Sequence, residues 1–237
     1  MSDYLGRFGF GQVTSLDLPE ALAAILPSRE WKRRARKLPW YPGDSLNLSI
    51  GQGFLLTTPL QLATAATVLA NRGKWVQPKL LKGVRDKGDE GQTLVSMPDI
   101  PNATPYPQDV ALKHPEYWEL IVDNMVEVVH GKRGTARKIG LDVQYKIAGK
   151  TGTAQVVGIK QDERYDASTL SKRFHDHALF VAFAPADKPK IALAVIVENG
   201  GGGSSTAAPL ARKVMDAYLL NVDPTAEPDV VLGVAHE

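Results

Sequence analysis

The string richest in chemistry is Lys150-Thr151-Gly152-Thr153, within the strand-like stretch 143–157, VQYKIAGKTGTAQVV. Glycine inside a strand weakens it. Gly149 and Gly152, on either side of the lysine, therefore signal close approach by a ligand or by another backbone. Such a ribbon offers an acylating substrate three things. Lysine brings a fixed positive charge for a carboxylate, threonine hydroxyls bring hydrogen bonds, and exposed backbone N–H groups pair with a peptide or hold an oxyanion. A charge pair at ~4 Å contributes up to ~4 kcal/mol at an effective dielectric of about 20. An oxyanion donor contributes about 2.7–4 kcal/mol in the transition state. Lys-Thr-Gly alone is a common string. Its place in a strand, ahead of two further apolar strands and a helix, gives it weight.

Other clusters carry less. His175-Asp176-His177 has the wrong spacing for two ligands on one helix face and no third ligand near it in sequence. It reads as the end of a loop leading into a strand at Ala178, and no metal is expected. The chain has no cysteine, which excludes disulfides, thiolate metal sites and a cysteine nucleophile but does not fix the compartment. Arg29, Lys32, Arg33, Arg34, Arg36 and Lys37, flanked by Trp31 and Trp40, are residue types that bind single-stranded nucleic acid. Yet 28 Lys+Arg against 26 Asp+Glu leave a net charge of only +2, so no nucleic-acid partner is expected. The run reads as a solvated loop or short helix whose tryptophans dock on the domain. Gly6, Gly9 and Gly11 lack the spacing and leading strand of a dinucleotide loop, and read as bends that let Tyr4, Phe8 and Phe10 pack. The Gly200–Gly203 run reads as a flexible lead-in to a helix rather than an anion nest. The polar loop 158–176, with Arg164 and Tyr165, is of a length that is often functional and reads equally as a mobile surface loop.

The elements that must position Lys150 follow from periodicity. Thr58, Pro59 and Gln61 form a capping-box start for a helix whose Leu62, Ala66 and Leu69 recur at helical spacing, and Asn71-Arg72-Gly73 stops it. Its small Ala63, Ala65 and Ala70 predict close packing. Residues 73–113 read as irregular, with a hairpin around Trp75-Val76 and Leu80-Leu81 and a proline-marked connector at Pro98, Pro101, Pro105 and Pro107. A second helix is predicted from Pro115 to Val129, with Trp118, Val122, Met125 and Val129 as its buried stripe. Apolar runs at 178–184 and 191–198, joined by residues 185–190, predict a β-hairpin. A last helix runs from near Ser205 to Leu220 with Leu210, Val214 and Tyr218 along one side. Helices, then antiparallel strands, then a helix predict an α+β fold. No window approaches the ~18 apolar residues of a membrane span, and there is no internal repeat. Gly134-Thr135-Ala136 echoes Gly152-Thr153-Ala154 too briefly to count.

Four blocks, in order, give the sequence a family resemblance. They are GRFGFGQVTSLDLPE, SREWKRRARKLPWYPGDSLNLSIGQGFLLTTPLQLATA, YKIAGKTGTAQVV, and HDHALFVAFAPADKP with IALAVIVENGGGG. From Tyr4 to Leu220 the chain resembles the C-terminal part of the transpeptidase domain of class B penicillin-binding proteins, elongation type. The resemblance implies a partial serine-transpeptidase fold over residues 1–220, an antiparallel sheet packed with helices, followed by a polar, disordered tail at 221–237. It implies a serine-type D,D-transpeptidase that cross-links peptidoglycan through an acyl-enzyme and is trapped by β-lactams. Such enzymes carry S-x-x-K, S-x-N and K-T-G motifs. By resemblance, Lys150 holds the substrate carboxylate and supports the second-motif serine. Thr151 and Thr153 bond the carboxylate of the stem peptide or β-lactam. The Thr153 N–H is an oxyanion donor, and Gly152 leaves room for substrate.

No serine in the chain is followed three residues later by lysine: Ser2 leads to Leu5, Ser28 to Trp31, Ser168 to Ser171 and Ser171 to Phe174. The nucleophile is thus expected to lie outside this chain, which starts within a longer domain. Ser45-Leu46-Asn47 fits S-x-N as text, but sits in a block expected to form a packed turn behind the site. The implied setting is the periplasmic face of the bacterial inner membrane, anchored by an upstream helix outside this chain. Implied partners are stem peptide, β-lactams and envelope proteins of the elongation machinery. No cofactor is implied. Two rivals stand beside this reading. One is a non-catalytic truncated homologue that binds a peptide or partner; the other is a β-lactamase or penicillin sensor.

Overall fold

A computed structural model describes residues 1–15, 17–18, 21–80, 109–157 and 170–223. The α+β order predicted from the sequence is the one observed. Helices α1 (Ser2–Gly6), α2 (Arg29–Arg36), α3 (Pro42–Ser49), α4 (Pro59–Ala70) and α5 (Tyr117–His130) come first. Strands β1 (Ala148–Ala154), β2 (His177–Ala184) and β3 (Ile191–Val197) follow, and α6 (Ala208–Leu220) closes the described chain. The strands form one antiparallel sheet in the order β1-β2-β3. Residues 185–190 join β2 to β3, with Ala184 opposite Ile191.

Strand alternation divides the core in two. Ala148 and Phe183 face α4 and α5, where they pack with Ala70, Val122, Met125 and Ala186. Phe180, Ala178, Ala182 and Leu193 face the other way, toward Ala207, Ala208, Ala211 and Met215. The sheet is therefore buried on both faces, which explains why β2 and β3 read as continuous apolar runs. The α5 stripe of Trp118, Val122, Met125 and Val129 is buried as its spacing predicted.

The capping box of α4 is formed. Thr58 N–H donates to Gln61 Oε1 at 3.0 Å, and Gln61 N–H donates to Thr58 Oγ1 at 3.1 Å. Gln61 is also fully buried, and its Nε2 donates to the carbonyls of Gln12 and Ala23, each at 2.9 Å. One amide thus caps the helix and fastens the N-terminal segment to it. Small residues let α4 approach β2 and β3 closely. Its buried set is Gln61, Thr64, Ala65, Ala66, Val68 and Ala70, with Leu62 and Leu69 only partly covered.

Four features go beyond or against the sequence reading. The GDSLNLSIGQG block, expected as a packed turn, is a helix, α3, as far as Ser49 and turns only over residues 50–53, with Leu46 68% and Ile50 70% exposed, so the turn is present but not packed. The Leu210, Val214 and Tyr218 side of α6 is exposed, and Ala208, Ala211 and Met215 are the residues that pack against the sheet. No strand forms over 74–80, and the rest of the expected hairpin and connector, 81–108, lies outside the described residues. So does the expected tail from 224 onward.

The fourth concerns the Gly200–Gly203 run, which is tightly bonded rather than loose. Gly201 N–H donates to Asp176 O at 2.9 Å, and Thr206 Oγ1 donates to Gly200 O at 2.8 Å. A Cβ on Gly203 would lie 2.4 Å from Leu179 O and 2.5 Å from Gly152 O. The π turn over Gly203–Ala207 that leads into α6 therefore rests directly on the backbones of β1 and β2. Gly203→Ala is expected to destabilise the fold by about 1–3 kcal/mol, as overpacking does. Urea unfolding measures this, and an unchanged midpoint would contradict the backbone contact.

Candidate functional site

β1 is an edge strand paired with β2 on one side, with Lys150 opposite Val181, Thr151 opposite Phe180, Gly152 opposite Leu179 and Thr153 opposite Ala178. Among the described residues, no strand lies beside its other edge. The four residues are neither sealed nor turned inward: Lys150 and Thr153 are exposed, Thr151 and Gly152 half-buried. Lys150 shares a face with Ala148, toward α5, whereas Thr151 and Thr153 take the opposite face. The Lys150 ammonium donates to Thr151 O at 2.8 Å. It also lines a shallow cavity of about 300 Å³ with Asn124, Glu127, Val128, Arg133 and Thr135.

The two glycines of the ribbon differ. A Cβ on Gly149 would lie 2.5 Å from Cζ of Phe180, whose ring fills the core beneath β1, so that position is bare for an intramolecular neighbour. A Cβ on Gly152 would meet only Cβ of Leu179, at 3.2 Å; the close approach there comes from the bare Gly203 onto the Gly152 backbone.

The missed residue is Thr135. After α5 the chain turns back, with Gly134 N–H donating to Gly131 O at 3.0 Å and Ala136 N–H to Val128 O at 3.0 Å. That turn carries the Thr135 hydroxyl to 3.1 Å from the hydroxyl of Thr151. The Gly-Thr-Ala echo was the only sign of it in the sequence, and an echo does not say that its two copies touch.

His130, the last residue of α5, fixes the approach to β1. Its Nε2 accepts the Ile147 N–H at 2.9 Å, so the imidazole acts as a neutral acceptor there. Partial burial lowers its pKa, helped by the Lys146 and Arg212 charges and opposed by Glu127. On the far side, Tyr145 OH donates to Asp216 Oδ1 at 2.6 Å, and Arg212 Nε holds the same carboxylate at 2.7 Å. Arg212 Nη1 also donates to Ile139 O at 2.8 Å. α6 is thereby clamped to the segment ahead of β1. Burial, then the Asp216 carboxylate, push the Tyr145 hydroxyl well above its ordinary pKa, so it stays a donor.

The remaining candidates sit elsewhere. Ser45 lies on α3 and accepts the Trp40 indole N–H at 2.8 Å. The sheet's helical partners are α4, α5 and α6. His177 Nδ1 accepts the Asn199 N–H at 2.9 Å, and His175 Nε2 lies 3.2 Å from Leu170 O. Both imidazoles thus order the segment ahead of β2, as the sequence suggested. Arg164 and Tyr165 lie outside the described residues.

Comparison with known proteins agrees with this geometry. The model of the penicillin-binding protein transpeptidase domain matches residues 1–216. A peptidoglycan D,D-transpeptidase MrdA of Haemophilus influenzae is 45% identical over 227 residues, 96% of this chain and 34% of that protein. The Escherichia coli K12 MrdA is 39% identical over 240 residues, 100% of this chain and 36% of that protein. The chain thus spans about a third of the length of the curated relatives it matches. Among solved structures, Pseudomonas aeruginosa PBP2 in complex with WCK 5153 superposes with a TM-score of 0.77 at 46% identity, covering 96% of this chain and 44% of that one. PBP2 in a complex with MreC from Helicobacter pylori superposes with a TM-score of 0.71 at 30% identity, covering 92% and 35%.

The His130 contact has a definite sign. A folded-state pKa below the usual value of about 6.5 means that the unfolded chain binds the proton more readily. The stabilisation is present in full above pH 6.5 and is lost as pH falls through the depressed value. Between pH 7.5 and 5 the wild-type protein is expected to lose stability and Ile147 amide protection. His130→Leu is expected to start lower and to show a flatter profile over that range.

Proposed function

The chain belongs to the penicillin-binding protein transpeptidase family, in its PBP2 branch, and we propose that it supplies the substrate-binding wall of a peptidoglycan D,D-transpeptidase. One observation carries the reading: Lys150-Thr151-Gly152-Thr153 lies accessible on an unpaired strand edge. A stem peptide or β-lactam would lie along that edge. Lys150 would hold its carboxylate electrostatically and support the second-motif serine, with the Thr151 and Thr153 hydroxyls bonding the same group. Gly152 would leave room for the substrate backbone. The Thr153 N–H would stabilise the oxyanion formed when the nucleophile attacks the carbonyl.

Thr135 would act as a positioning residue. Its hydroxyl bonds that of Thr151 and would hold the Thr151 rotamer, so that Thr151 meets the carboxylate without first reorganising. The serine nucleophile and its lysine base would come from the part of the protein outside this chain, since no serine here has the S-x-x-K spacing. The setting would be the periplasmic face of the inner membrane. Envelope proteins would be partners, in keeping with the MreC complex of the Helicobacter pylori relative. Among the described residues no helix is long and apolar enough to cross a membrane.

Fluorescent penicillin tests the proposal. The 237-residue chain alone is expected to form no covalent adduct, as read by intact mass. A longer polypeptide that includes the upstream serine is expected to be labelled. In that polypeptide Lys150→Ala should slow acylation by about 100- to 1,000-fold, the loss of roughly 3–4 kcal/mol. Thr135→Val should slow it by about 3- to 30-fold, the range of one hydrogen bond near a charge, and Thr135→Ser should restore it. An adduct on this chain alone, or full acylation in the Lys150 variant, would refute the assignment. The rival reading, a non-catalytic peptide- or partner-binding module, expects no labelling even of the longer polypeptide.

A further inference from the structure

The transpeptidase reading leaves the basic segment 29–41 unused, and the structure divides that segment into two parts. One part is internal. Lys32 is only 3% exposed, and its ammonium bonds Asp44 at 2.5 Å beneath the Tyr41 ring, 4.5 Å from the centroid. Arg36 lies over Phe54 at 5.5 Å, and Arg34 pairs with Glu30 at 3.3 Å. The other part faces outward. Lys37 takes a left-handed conformation at the end of α2. The chain then returns so that Pro39 and Trp40 lie beside Arg29, Glu30 and Arg33, around an open cleft of about 470 Å³. Arg29 and Arg33 have no acidic partner among the described residues.

We propose that this cleft is a second binding site, for an acidic glycopeptide of cell-wall type held away from the reacting strand. Arg29 and Arg33 stand at i and i+4 on α2, so their side chains are neighbours on one face. Two adjacent guanidinium forks without an internal partner suit a ligand carboxylate, which each binds through paired N–H groups. Trp40 is fixed by its indole N–H bond to Ser45 Oγ at 2.8 Å. A ring anchored at its polar edge keeps its apolar face for stacking, and a sugar ring presents a flat apolar face of matching size. Glu30 also lines the cleft, with its carboxylate paired to Arg34 at 3.3 Å, so the two arginines outnumber the one acidic group there. The volume lies within the range of small-molecule clefts and suits about one sugar with its first peptide residues. A polymer with carboxylates and sugars along its length touches its enzyme at more than one place. This site would hold the strand while the β1 edge holds the reacting stem. The ligand's identity rests on the transpeptidase reading; the site itself does not.

Calorimetry of the 237-residue chain with a soluble uncross-linked disaccharide–peptide fragment tests this, with the Trp40 indole N–H followed by NMR. The expected result is saturable binding that weakens with added salt. R29Q/R33Q should weaken it at least about tenfold, as should amidation of the fragment's carboxylates, consistent with lost charge-assisted bonds. Trp40→Phe should keep most of the affinity and Trp40→Ala little of it. The loss caused by R29Q/R33Q should be as large in a Lys150→Ala background as in the wild type, which separates this site from the β1 edge and its failure from that of the transpeptidase reading. In the longer polypeptide, R29Q/R33Q should reduce co-sedimentation with purified sacculi. Absent binding, binding indifferent to R29Q/R33Q, or preferential binding to phosphatidylglycerol vesicles over the fragment would each overturn the proposal.

Discussion

The contact on which the site depends is the seating of Gly203 on the backbone of Gly152. A Cβ at Gly203 would lie 3.0 Å from Gly152 N and closer still to its carbonyl oxygen. No side chain fits between the two segments, so the π turn ahead of α6 presses on β1 from one face while β2 pairs with its inner edge. An edge strand held by pairing on one side alone frays and slips register readily. Here the far-side packing fixes the plane of the ribbon, and the outer edge stays open. Phe180 beneath Gly149 completes the support. Rigid placement of donors is what lets them stabilise developing charge without reorganising first. On the proposed reading this edge stays unpaired, and the bare Gly203 lets the turn brace the strand from one face without covering that edge.

That brace explains a difference in how legible the parts were. Elements whose signals are local came through intact. The Thr58–Gln61 capping box formed, the α5 stripe of Trp118, Val122, Met125 and Val129 is buried, and the β2–β3 hairpin pairs as its apolar runs suggested. Features set by distant packing did not. In α6 Leu210, Val214 and Tyr218 face out, and Ala208, Ala211 and Met215 pack against the sheet instead. Hydrophobicity gives a helix a stripe; the space available decides which stripe is used. The Gly200–Gly203 run read as loose because composition records flexibility in the unfolded chain, whereas the reason for the glycines is a steric limit in the folded one. Thr135 was missed for a related reason. A hydroxyl pair between a loop and a strand leaves no periodicity in either.

Lys32 makes the same point in charge. Within a basic run it counts as one more solvated cation, yet it is buried against Asp44 between aromatic rings. Its hydrogen bond, together with the Tyr41 N–H, holds the Asp44 carboxyl below the ordinary carboxylate range. The α2–α3 arm has few apolar residues of its own to bury: Leu48 is the buried one of α3, and Lys32 that of α2. A charged pair capped by rings takes the place of an apolar core, and such a pair fixes one geometry because any other leaves a charge unpaired. The outward arginines then occupy defined positions on a short helix.

The division of labour between this chain and the rest of such a protein follows from the fold. Edge-strand recognition needs a sheet, and the sheet needs both α5 and α6 to cover it, which this chain provides. A nucleophile needs a base within hydrogen-bond reach, and the lysine of this ribbon donates instead to the carbonyl of Thr151. Lys150 is exposed, on the α5 side of the strand. A fixed charge and hydroxyls at an open edge bind and orient; they do not attack. The geometry therefore fits acyl transfer only as one half of a cleft. The His130 acceptor, the Tyr145–Asp216–Arg212 clamp and the Thr135 hydroxyl all serve the placement of that half.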